Sequence, residues 1–596
     1  MTGTSGVFRL DDVPPDDRFS VGVSPAHGPR GGVSGVHKAR SHSGRFTAML
    51  DGYLINAHSL KAKLGGSGTE SDAEIALALF EREGVQSFNT LDGAFAVAVY
   101  DAQEQTLILA RDPVGQMPLY YHQDGNRLLF SSSLKDVVQG SSAKLEMSHA
   151  ALEAYLQLTY IPAPMTIHEG VLSLLAGSYM QAGSSGLGEP QTYWDIDYSD
   201  TNQIHDLARC EALVRDSVVS SVEQAFEISG STGTLLSGGI DSTIVTGIAA
   251  TVLGRTVPTF SISYRDKRHD ESARAKIAAD FHHTEHQFIP LDFSEPLAEL
   301  DDLLLNLDQP YADSSYLPAS MVSRAAKQHV DTVLTGDAGD ELFAGYSKYL
   351  IGHYADKFNK VPTWVSGPAI KSANRILPSG SDLRRKLNKV AESATLPPFE
   401  QRERLMAMGF SRQELGSLLL GKPNDVARLL ARKYYDRYAS SDDEMRQALY
   451  LDFKVVLEGD MMTKGQNVSS ASGMRINIPL LNRRVIETAA QVPSAYKINN
   501  GVTKAIFRDT FSDLIPPELL NAPKHGFTMP MDVWLRQGLR ASMLDLLSED
   551  RIRDTKLLHY PAVRRVVDEH LAEREDHSSK LWALYVLMYW QDTHGS

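Results

Sequence analysis

The chain has 596 residues, more than one ordinary hydrophobic core supports, so two or more domains are predicted. Hydrophobic residues make up 42% and charged residues 22% of the chain, which is typical of a globular protein that folds in water. The formal net charge is −15, with acidic and basic residues mixed, and this argues against a nucleic-acid partner, which requires clustered lysine and arginine.

Further features predict a cytoplasmic protein with no membrane segment. The opening stretch MTGTSGVFRLDDVPPDD carries neither a basic start nor an apolar run, so no signal peptide is predicted. The apolar run from Trp582 to Trp590 is too short to span a bilayer and indicates a buried helix. The single cysteine, Cys210, excludes an intrachain disulfide and a cysteine-ligated metal site.

The sequence pattern of the first half of the chain predicts β-strands. From Phe46 to about Val138, short alternating apolar segments are separated by Gly and Asp turns, and one helical segment, SDAEIALALFEREG, interrupts them. This pattern predicts packed antiparallel sheets. A Gly- and Ser-rich stretch, QAGSSGLGEPQTYW, ends at Trp194 and is the predicted boundary of this half.

After Trp194 strands and helices alternate. The helical segment CEALVRDSVVSSVEQAF precedes the strand TGTLL, and a helix that ends at Gly254 follows. The strand VPTFSISY, the helix DESARAKIAADF and the strand HTEHQFIPL come next. This order predicts parallel βαβ units, in which ligands bind at the carboxyl ends of the strands.

The stretch LLSGGIDST lies at such a strand end. Gly238 and Gly239 let a phosphate approach the backbone, and the helix that begins near Asp241 offers free N–H donors. Ser237 and Ser242 add hydroxyl donors. The loop is not a Walker loop, because GxxxxGK[ST] is missing here. An anion site is therefore predicted, and Asp241 fits beside a phosphate if it holds a Mg²⁺ ion that bridges to the anion.

A second acidic cluster follows the apolar strand VDTVL. The stretch TGDAGDELFAGYSKY brings Asp337, Asp340 and Glu341 together among small residues. Helix capping explains one aspartate rather than three acidic residues. Two acidic strand ends in one parallel sheet predict a site for a metal and a nucleotide.

These motifs resemble a known family. LLSGGIDST is similar to the pyrophosphate loop of N-type ATP pyrophosphatases, and TGDAGDELFAGY resembles the second signature of asparagine synthetase family enzymes. DQPYADSSYLP, TFSISYRDKRHDESARA, TKAIFRDTF and PKHGFTMPMDVWLR fit the same family, and the resemblance runs from about residue 45 to the C-terminus.

The resemblance implies a two-domain α+β fold. Residues 1–195 would form an Ntn-hydrolase-like αββα domain of the glutaminase type, a degenerate class II glutamine amidotransferase domain. Residues 205–596 would form an α/β ATP-pyrophosphatase domain, related to the adenine nucleotide α-hydrolases, with a parallel sheet and added helices. It also implies a homodimer.

The resemblance further implies an ATP-dependent ligase. A substrate carboxylate attacks the α-phosphate of ATP, pyrophosphate leaves, and an amine then displaces AMP from the acyl-adenylate. ATP and Mg²⁺ are the implied cofactors. The implied residues are Ser237, Gly238, Gly239 and Ser242 around pyrophosphate, Gly336 at the nucleotide, Asp241 and Asp340 on Mg²⁺, and Ile262 near adenine.

Two further positions have implied catalytic roles. Lys504 matches the family lysine that faces the reacting phosphate and carbonyl, and its charge would contribute roughly 3–4 kcal/mol of transition-state stabilisation. Asp337 occupies a position where the family carries Glu or Asp. It is either a general base for the attacking amine or an anchor for its loop.

The glutaminase half departs from the family pattern. Thr2 stands where the family has its nucleophilic Cys, and an N-terminal Thr can itself act as a nucleophile. The family's Asn-Gly-Glu is Asp51-Gly52-Tyr53 here, and only Asp72 still resembles the glutamine-amine contact. The expectation is that glutaminase activity is lost and that this domain is a scaffold.

The substrate-binding motif also departs from the family. Asn477 replaces the arginine that would pair with the α-carboxylate of aspartate, and Arg475 replaces a glutamate. An amide cannot replace a bidentate, charge-assisted fork, although a register slip would let Arg475 take that role. Aspartate is therefore disfavoured as the substrate.

The leading hypothesis is a ligase that adenylates a carboxylate and joins it to an amine on the substrate. The lasso peptide cyclases and the β-lactam synthetases are family branches of this kind, and the run SGMRINIPLLN favours the first. A peptide substrate would need a partner protein that delivers it. The alternatives are an ammonia-dependent asparagine synthetase and a non-catalytic nucleotide-binding scaffold.

Overall fold

The structure is a computed structural model that describes residues 4–9, 19–23, 37–65, 70–228, 230–264, 270, 272–291, 298–350, 396–441, 443–520 and 529–594. It combines antiparallel sheets in the first half of the chain with a parallel sheet in the second half, as the sequence predicted. No helix in these ranges is both long enough and apolar enough to cross a membrane.

Two antiparallel sheets form the first half. Within the described ranges, the first sheet has the strand order Phe19–Val23, Thr4–Arg9, Arg127–Ser131, Tyr120–Asp124 and Val171–Ser173. The second sheet has the order Gly186–Leu187, Ser178–Gly183, Thr106–Arg111, Gly93–Asp101, Phe46–Leu54 and His37–Arg40, and Gln191–Thr192 pairs with Ser178–Gly183. The Gly- and Ser-rich stretch before Trp194 thus forms the edge of this sheet.

The strand Gly93–Asp101 shows why the two sheets pack together. Phe95 and its alternate neighbours pack against the helix Asp72–Glu83, whereas Ala96 and its alternate neighbours face the first sheet. Every residue of this strand is buried, because successive side chains point to opposite faces and both faces are covered. The helix begins with a capping box in which Ser71 and Glu74 each bind the backbone of the other.

The parallel sheet of the second half positions the nucleotide motifs. Among the described residues its order is Glu285–Leu291, Pro258–Tyr264, Thr232–Leu235, Thr332–Leu334 and Arg475–Asn477, all parallel. The strand Thr232–Leu235 pairs with Pro258–Tyr264 on one side and Thr332–Leu334 on the other. The chain therefore changes direction across the sheet at this strand, and such a switch point opens a crevice at the carboxyl ends.

Helices surround the sheets. In the first half they are Ala57–Leu64, Asp72–Glu83, Leu134–Gly140 and His149–Leu158. In the second half they are Leu207–Glu227, Ile240–Gly247, Ser272–Phe281, Leu300–Leu305, Tyr316–Ala326, Gly339–Leu342, Pro398–Met406, Arg412–Leu418, Val426–Tyr435, Glu444–Leu451, Thr463–Ser472, Arg483–Gln491, Ser494–Lys497, Ala505–Thr510, Pro517–Leu520, Met531–Arg536, Arg540–Leu546, Glu549–Thr555, Tyr560–Leu571 and Ser578–His594. π-Helical turns at Ile248–Val252 and Asp452–Met462 continue two of them.

Two sequence predictions about helices have different outcomes. The apolar run at Trp582 lies in the buried helix Ser578–His594, as predicted, and its backbone carbonyl at Ala583 accepts a hydrogen bond of 2.8 Å from the Tyr155 hydroxyl of the first half. The prediction of one helix within the β-rich region was wrong, because Ala57–Leu64 is also helical. That short helix buries only Leu60, so its apolar pattern is weak.

Candidate active site

The loop after strand Thr232–Leu235 is shaped by its glycines. Gly238 has a φ of 72°, and a Cβ there would lie 2.5 Å from the carbonyl carbon of Arg274, so only glycine fits. Gly239 precedes the helix Ile240–Gly247, and its N–H donates to Ser237 Oγ at 3.2 Å. The N–H groups of the first helical turn lack partners within the helix, so they can bind an anion at this end.

Serine hydroxyls hold this loop in shape. Ser242 Oγ lies 3.1 Å from Ser237 Oγ and donates to the carbonyl of Gly239 at 3.2 Å. These hydroxyls lie at the N-terminus of the helix. Each could donate its hydrogen bond to a phosphate oxygen instead of to the loop. The geometry is therefore suited to binding the phosphates of a nucleotide.

The two sequence motifs pack directly against each other. A Cβ added to Gly336 would lie 2.5 Å from the Ser242 backbone nitrogen, and a Cβ added to Gly339 would lie 2.6 Å from Asp241 Oδ1. Both positions therefore require glycine for the close approach of the two loops. As a result, the carboxylates of Asp241 and Asp340 come to the same side of the crevice.

Lys504 lies between these two carboxylates. Its Nζ pairs with Asp241 Oδ2 and lies 2.8 Å from Asp340 Oδ1, and the residue is 5% exposed. Burial lowers the pKa of Lys504, but the attraction of the two carboxylates outweighs burial, and the pKa is raised above its ordinary value. The side chain is therefore a fixed positive charge at the end of the phosphate-binding loop.

Asp241 and Asp340 could together hold a metal ion. Mg²⁺ prefers carboxylate oxygens and nucleotide phosphate oxygens, and here two carboxylates lie at the edge of an anion-binding loop. The donor set therefore fits Mg²⁺ bound with a nucleotide.

A cavity of about 630 Å³ joins these groups. It is lined by the predicted residues Ser237, Gly239, Asp241, Ser242, Ile262, Gly336, Asp337, Asp340 and Lys504. Gly238 instead packs against the helix Ser272–Phe281 behind the loop. Ile262, which is 5% exposed, contributes an apolar wall on the strand next to the loop, where an adenine ring could pack.

Asp337 is anchored but faces the cavity. Thr335 Oγ1 donates to Asp337 Oδ2 at 2.9 Å, and Lys464 Nζ lies 3.8 Å from Asp337 Oδ1. The side chain is 31% exposed. Its position suits either of the two roles predicted for it.

Several further residues that line the cavity were not predicted from the sequence. Asp313, Asp460 and Lys464 line it, together with the basic residues Arg274 and Arg508. Asp313 lies within the motif DQPYADSSYLP, which could have identified it. Asp460 and Lys464 are one helical turn apart on the π-helical segment and the helix that follows it, and no local sequence pattern marks them.

Arg475 and Asn477, the residues predicted to face the substrate, lie outside the lining of this cavity. The Arg475 guanidinium lies over the Tyr53 ring at 5.5 Å and donates to the carbonyl of Ile228 at 3.3 Å. It lines a second cavity, of about 140 Å³, between the two halves of the chain. Asn477 is 1% exposed, and its backbone carbonyl accepts the Thr335 N–H at 3.1 Å. The 630 Å³ cavity is lined by neither residue.

The glutaminase positions also carry structural contacts. Asp51 is 2% exposed and accepts a hydrogen bond of 2.5 Å from Ser132 Oγ, and Asp72 Oδ2 accepts the Leu54 N–H at 2.9 Å. Asp72 therefore ties its helix to a strand. Thr2, the predicted counterpart of the nucleophile, lies outside the described residues.

Comparison with known proteins identifies the family. Residues 213–592 match the family model described as Asparagine synthase, and residues 35–194 match the one described as Glutamine amidotransferase domain. The chain therefore belongs to the asparagine synthase family. It is an ATP-dependent carbon–nitrogen ligase that forms amides and releases AMP and pyrophosphate.

Individual relatives agree with this assignment. The chain is 26% identical over 546 residues to asparagine synthetase (glutamine-hydrolyzing) 1 of Bacillus subtilis (strain 168). The aligned region covers 91% of this chain and 84% of that protein. It is 23% identical over 561 residues to asparagine synthetase (glutamine-hydrolyzing) 3 of the same strain, covering 90% of this chain and 83% of that protein. A solved glutamine phosphoribosylpyrophosphate amidotransferase from B. subtilis is 13% identical, and the match covers 56% of this chain and 75% of that chain with a TM-score of 0.22.

Proposed function

We propose that this ligase adenylates a substrate carboxylate and joins it to an amine that the substrate itself carries. Lasso peptide macrolactam formation is the proposed kind of reaction, within peptide or natural-product maturation. The observation that carries the proposal is the cavity in which the phosphate loop, Lys504 and an acidic wall meet. A peptide substrate would be delivered by a partner protein.

The proposed reaction has two steps, adenylation and amide formation, and different cavity residues act in each. In the first step, Ser237, Ser242 and the helix N-terminus bind the phosphates of ATP, while a carboxylate oxygen attacks the α-phosphorus and pyrophosphate leaves. Mg²⁺ held by Asp241 and Asp340 would neutralise charge on the pyrophosphate. Lys504 faces the same region, where its charge stabilises the developing negative charge.

In the second step an amine attacks the acyl-adenylate carbonyl, and AMP leaves. Asp337, which lines the cavity and is held by Thr335 Oγ1, is the proposed acceptor of the proton that the amine loses. The products of the two steps are an amide, AMP, pyrophosphate and a proton.

The first half of the chain is proposed to be a scaffold without glutaminase activity. Tyr53 stands where the family has a glutamate, and the guanidinium of Arg475 lies over its ring. Asp51, which replaces an asparagine, is an acceptor that binds Ser132 and cannot donate to an oxyanion while it is ionised. The replacement at Asp51 removes the amide donor that would face the oxyanion during glutamine hydrolysis.

An ammonia-dependent asparagine synthetase is the second candidate. Asparagine formation is favoured by the relatives named as glutamine-hydrolyzing asparagine synthetases, which cover about nine-tenths of this chain. The use of free ammonia follows from the proposed loss of glutaminase activity. This candidate requires the 630 Å³ cavity to hold aspartate without the family arginine at Asn477.

Pyrophosphate release from ATP and Mg²⁺ separates the candidates. Aspartate with ammonium or with glutamine forms one set of substrates, and peptides that carry a carboxylate and a free amine form the other. Release with peptides and amide formation within the peptide supports the proposal. Asparagine formation from ammonium supports the second candidate, and use of glutamine contradicts the scaffold role of the first half.

Matched lysine variants test whether the cavity is the site. Lys504→Ala should reduce release by about 100- to 1,000-fold, as loss of a preorganised charge does. Lys433→Ala, which changes an exposed lysine on the helix Val426–Tyr435, should leave the rate unchanged. Equal rates in the two variants would place the chemistry outside this cavity.

A further inference from the structure

Arg508 brings a second positive charge to the cavity beside Lys504. It lies in the stretch TKAIFRDTF, four residues after Lys504, and both residues line the 630 Å³ cavity. The Arg508 N–H donates to the Lys504 carbonyl at 2.9 Å, at the start of the helix Ala505–Thr510. Residues at this spacing lie on the same face of a helix, one turn apart. The helix therefore presents two cations to the same crevice.

The guanidinium of Arg508 has no partner among the described residues. Lys504 pairs with two carboxylates, whereas the Arg508 side chain makes neither a hydrogen bond nor an ion pair in these ranges. Burial lowers the pKa of Arg508, and the charges of Asp509 and Asp241 offset this effect only in part. The N–H donors of this half-buried guanidinium are therefore available to a ligand.

Arg508 lies on the phosphate side of the cavity. Asp241, one of the two carboxylates whose charge acts on it, belongs to the first turn of the helix Ile240–Gly247. The charge of Lys504 is offset there by two carboxylates, those of Asp241 and Asp340, so this end of the loop keeps an excess of negative charge. A triphosphate adds further negative charge at the same place. An arginine without a carboxylate partner can offset that charge.

The helix that carries Arg508 is fixed to both sequence motifs. The Phe507 ring stacks on the ring of Phe343, which directly follows the helix of the acidic motif, with centroids 4.5 Å apart and planes inclined by 12°. A Cβ added to Gly247, at the end of the phosphate-loop helix, would lie 3.2 Å from Leu514 Cβ. The segment after Arg508 therefore packs closely on that helix. These contacts hold the guanidinium at a set position relative to the loop, as a preorganised charge requires.

We propose that Arg508 binds the β- and γ-phosphates of ATP and remains on them as pyrophosphate leaves. A guanidinium donates two parallel N–H bonds to a phosphate, which a lysine cannot do. A bond forms between the carboxylate oxygen and the α-phosphorus, and the bond from that phosphorus to the bridging oxygen breaks. The electron pair of the broken bond goes to the pyrophosphate oxygen, whose charge Arg508 stabilises. The inference rests on the adenylation step of the proposed function and not on which carboxylate and amine are joined.

Isothermal titration of the full chain in the presence of Mg²⁺ tests this contact without turnover. The probes are α,β-methylene-ATP, whose bridge between the α- and β-phosphorus cannot be cleaved, and AMP, which has neither of the outer phosphates. Arg508→Gln should weaken binding of α,β-methylene-ATP at least about ten-fold and leave the affinity for AMP unchanged. Arg508→Lys keeps the charge without the paired donors, so it should lose less affinity than Arg508→Gln. Thermal unfolding of each variant shows whether it is folded.

The matched control is Arg437→Gln. Arg437 is exposed, lies in the turn Asp436–Tyr438 and is not part of the cavity lining. Both nucleotides should bind this variant as they bind the wild-type chain, and a loss equal to that of Arg508→Gln would overturn the inference.

Three further results would contradict the assignment of Arg508. These are unchanged binding of α,β-methylene-ATP by Arg508→Gln, equal weakening of both nucleotides, and equal losses in the Gln and Lys variants. Failure of the proposed function gives a different result. Arg508 then still distinguishes the two nucleotides, but no peptide with a carboxylate and a free amine supports pyrophosphate release.

Discussion

The guanidinium of Arg111 lies 2.6 Å from the carboxylate of Glu458, and this ion pair joins the two halves of the chain. Each side chain is 5% exposed. Arg111 also donates to the backbone carbonyls of Met117, Leu174 and Gly115. The arginine therefore satisfies several buried acceptors at once and fixes a strand of the second sheet against the π-helical segment Asp452–Met462.

Removing this arginine should destabilise the protein strongly. Arg111→Ala leaves the Glu458 charge and three carbonyl groups buried without their donor, and a loss of about 3–5 kcal/mol in the free energy of unfolding is expected. Thermal and urea unfolding measure it. Arg564→Ala, which breaks an exposed pair with Asp568, should cost less than about 1 kcal/mol. Similar losses of unfolding free energy in both variants would show that the buried Arg111–Glu458 pair stabilises the fold no more than an exposed ion pair does.

Gly336→Ala should disable the site while the fold persists. The added Cβ would meet the Ser242 backbone, so the two loops must move apart and displace the phosphate-binding groups. A shift of this size is expected to reduce kcat/KM for pyrophosphate release by about 100-fold. Gly416→Ala is the matched control, because its Cβ would meet none of the described heavy atoms within 4 Å and lies in the helix Arg412–Leu418. Full activity in Gly336→Ala would contradict the contact.

Arg475→Ala should leave the substrate affinity nearly unchanged. The side chain lies over Tyr53 in the cavity between the two halves, so its loss should change KM by less than about three-fold and lower the melting temperature. Steady-state kinetics across the substrate range check this. An increase in KM of ten-fold or more with an unchanged melting temperature would instead support the substrate role predicted from the sequence.

Lys497 should make stability depend on pH. It is 1% exposed, its Nζ has no hydrogen-bond partner in the described ranges, and burial lowers its pKa to about 7. Below pH 7 the lysine is charged in both states, and its burial cost is fully present. Between pH 7 and about 10.4 the unfolded chain binds more protons than the folded chain, so this cost falls as the pH rises.

Lys497→Met should therefore stabilise the protein more at low pH. The gain at pH 6 should exceed the gain at pH 10 by roughly 2–4 kcal/mol, measured by urea unfolding. Lys433→Met, at an exposed position, should show no such difference between the two pH values. A gain that is the same at both pH values would mean that Lys497 is not charged at a cost in the folded protein.

Local patterns in the sequence predicted the architecture and the two motifs that line the crevice. Strand and helix periodicities predicted antiparallel sheets before Trp194 and a parallel sheet after it, because each period reflects which faces of an element are buried. The glycines and acids of the two motifs predicted the residues now found around the crevice, since both motifs directly follow strands of one parallel sheet.

Only the tertiary structure determined the rest. Asp460 and Lys464 enter the cavity from a helix far along the chain, and no local period predicts which of its faces meets Asp313. The sequence placed Arg475 within the substrate-binding motif and allowed it to pair with the substrate through a register slip, whereas in the structure its guanidinium lies over the Tyr53 ring. Sequence spacing determines what a residue can do, but long-range packing determines which groups share a cavity, because that depends on how distant elements bury their apolar faces together.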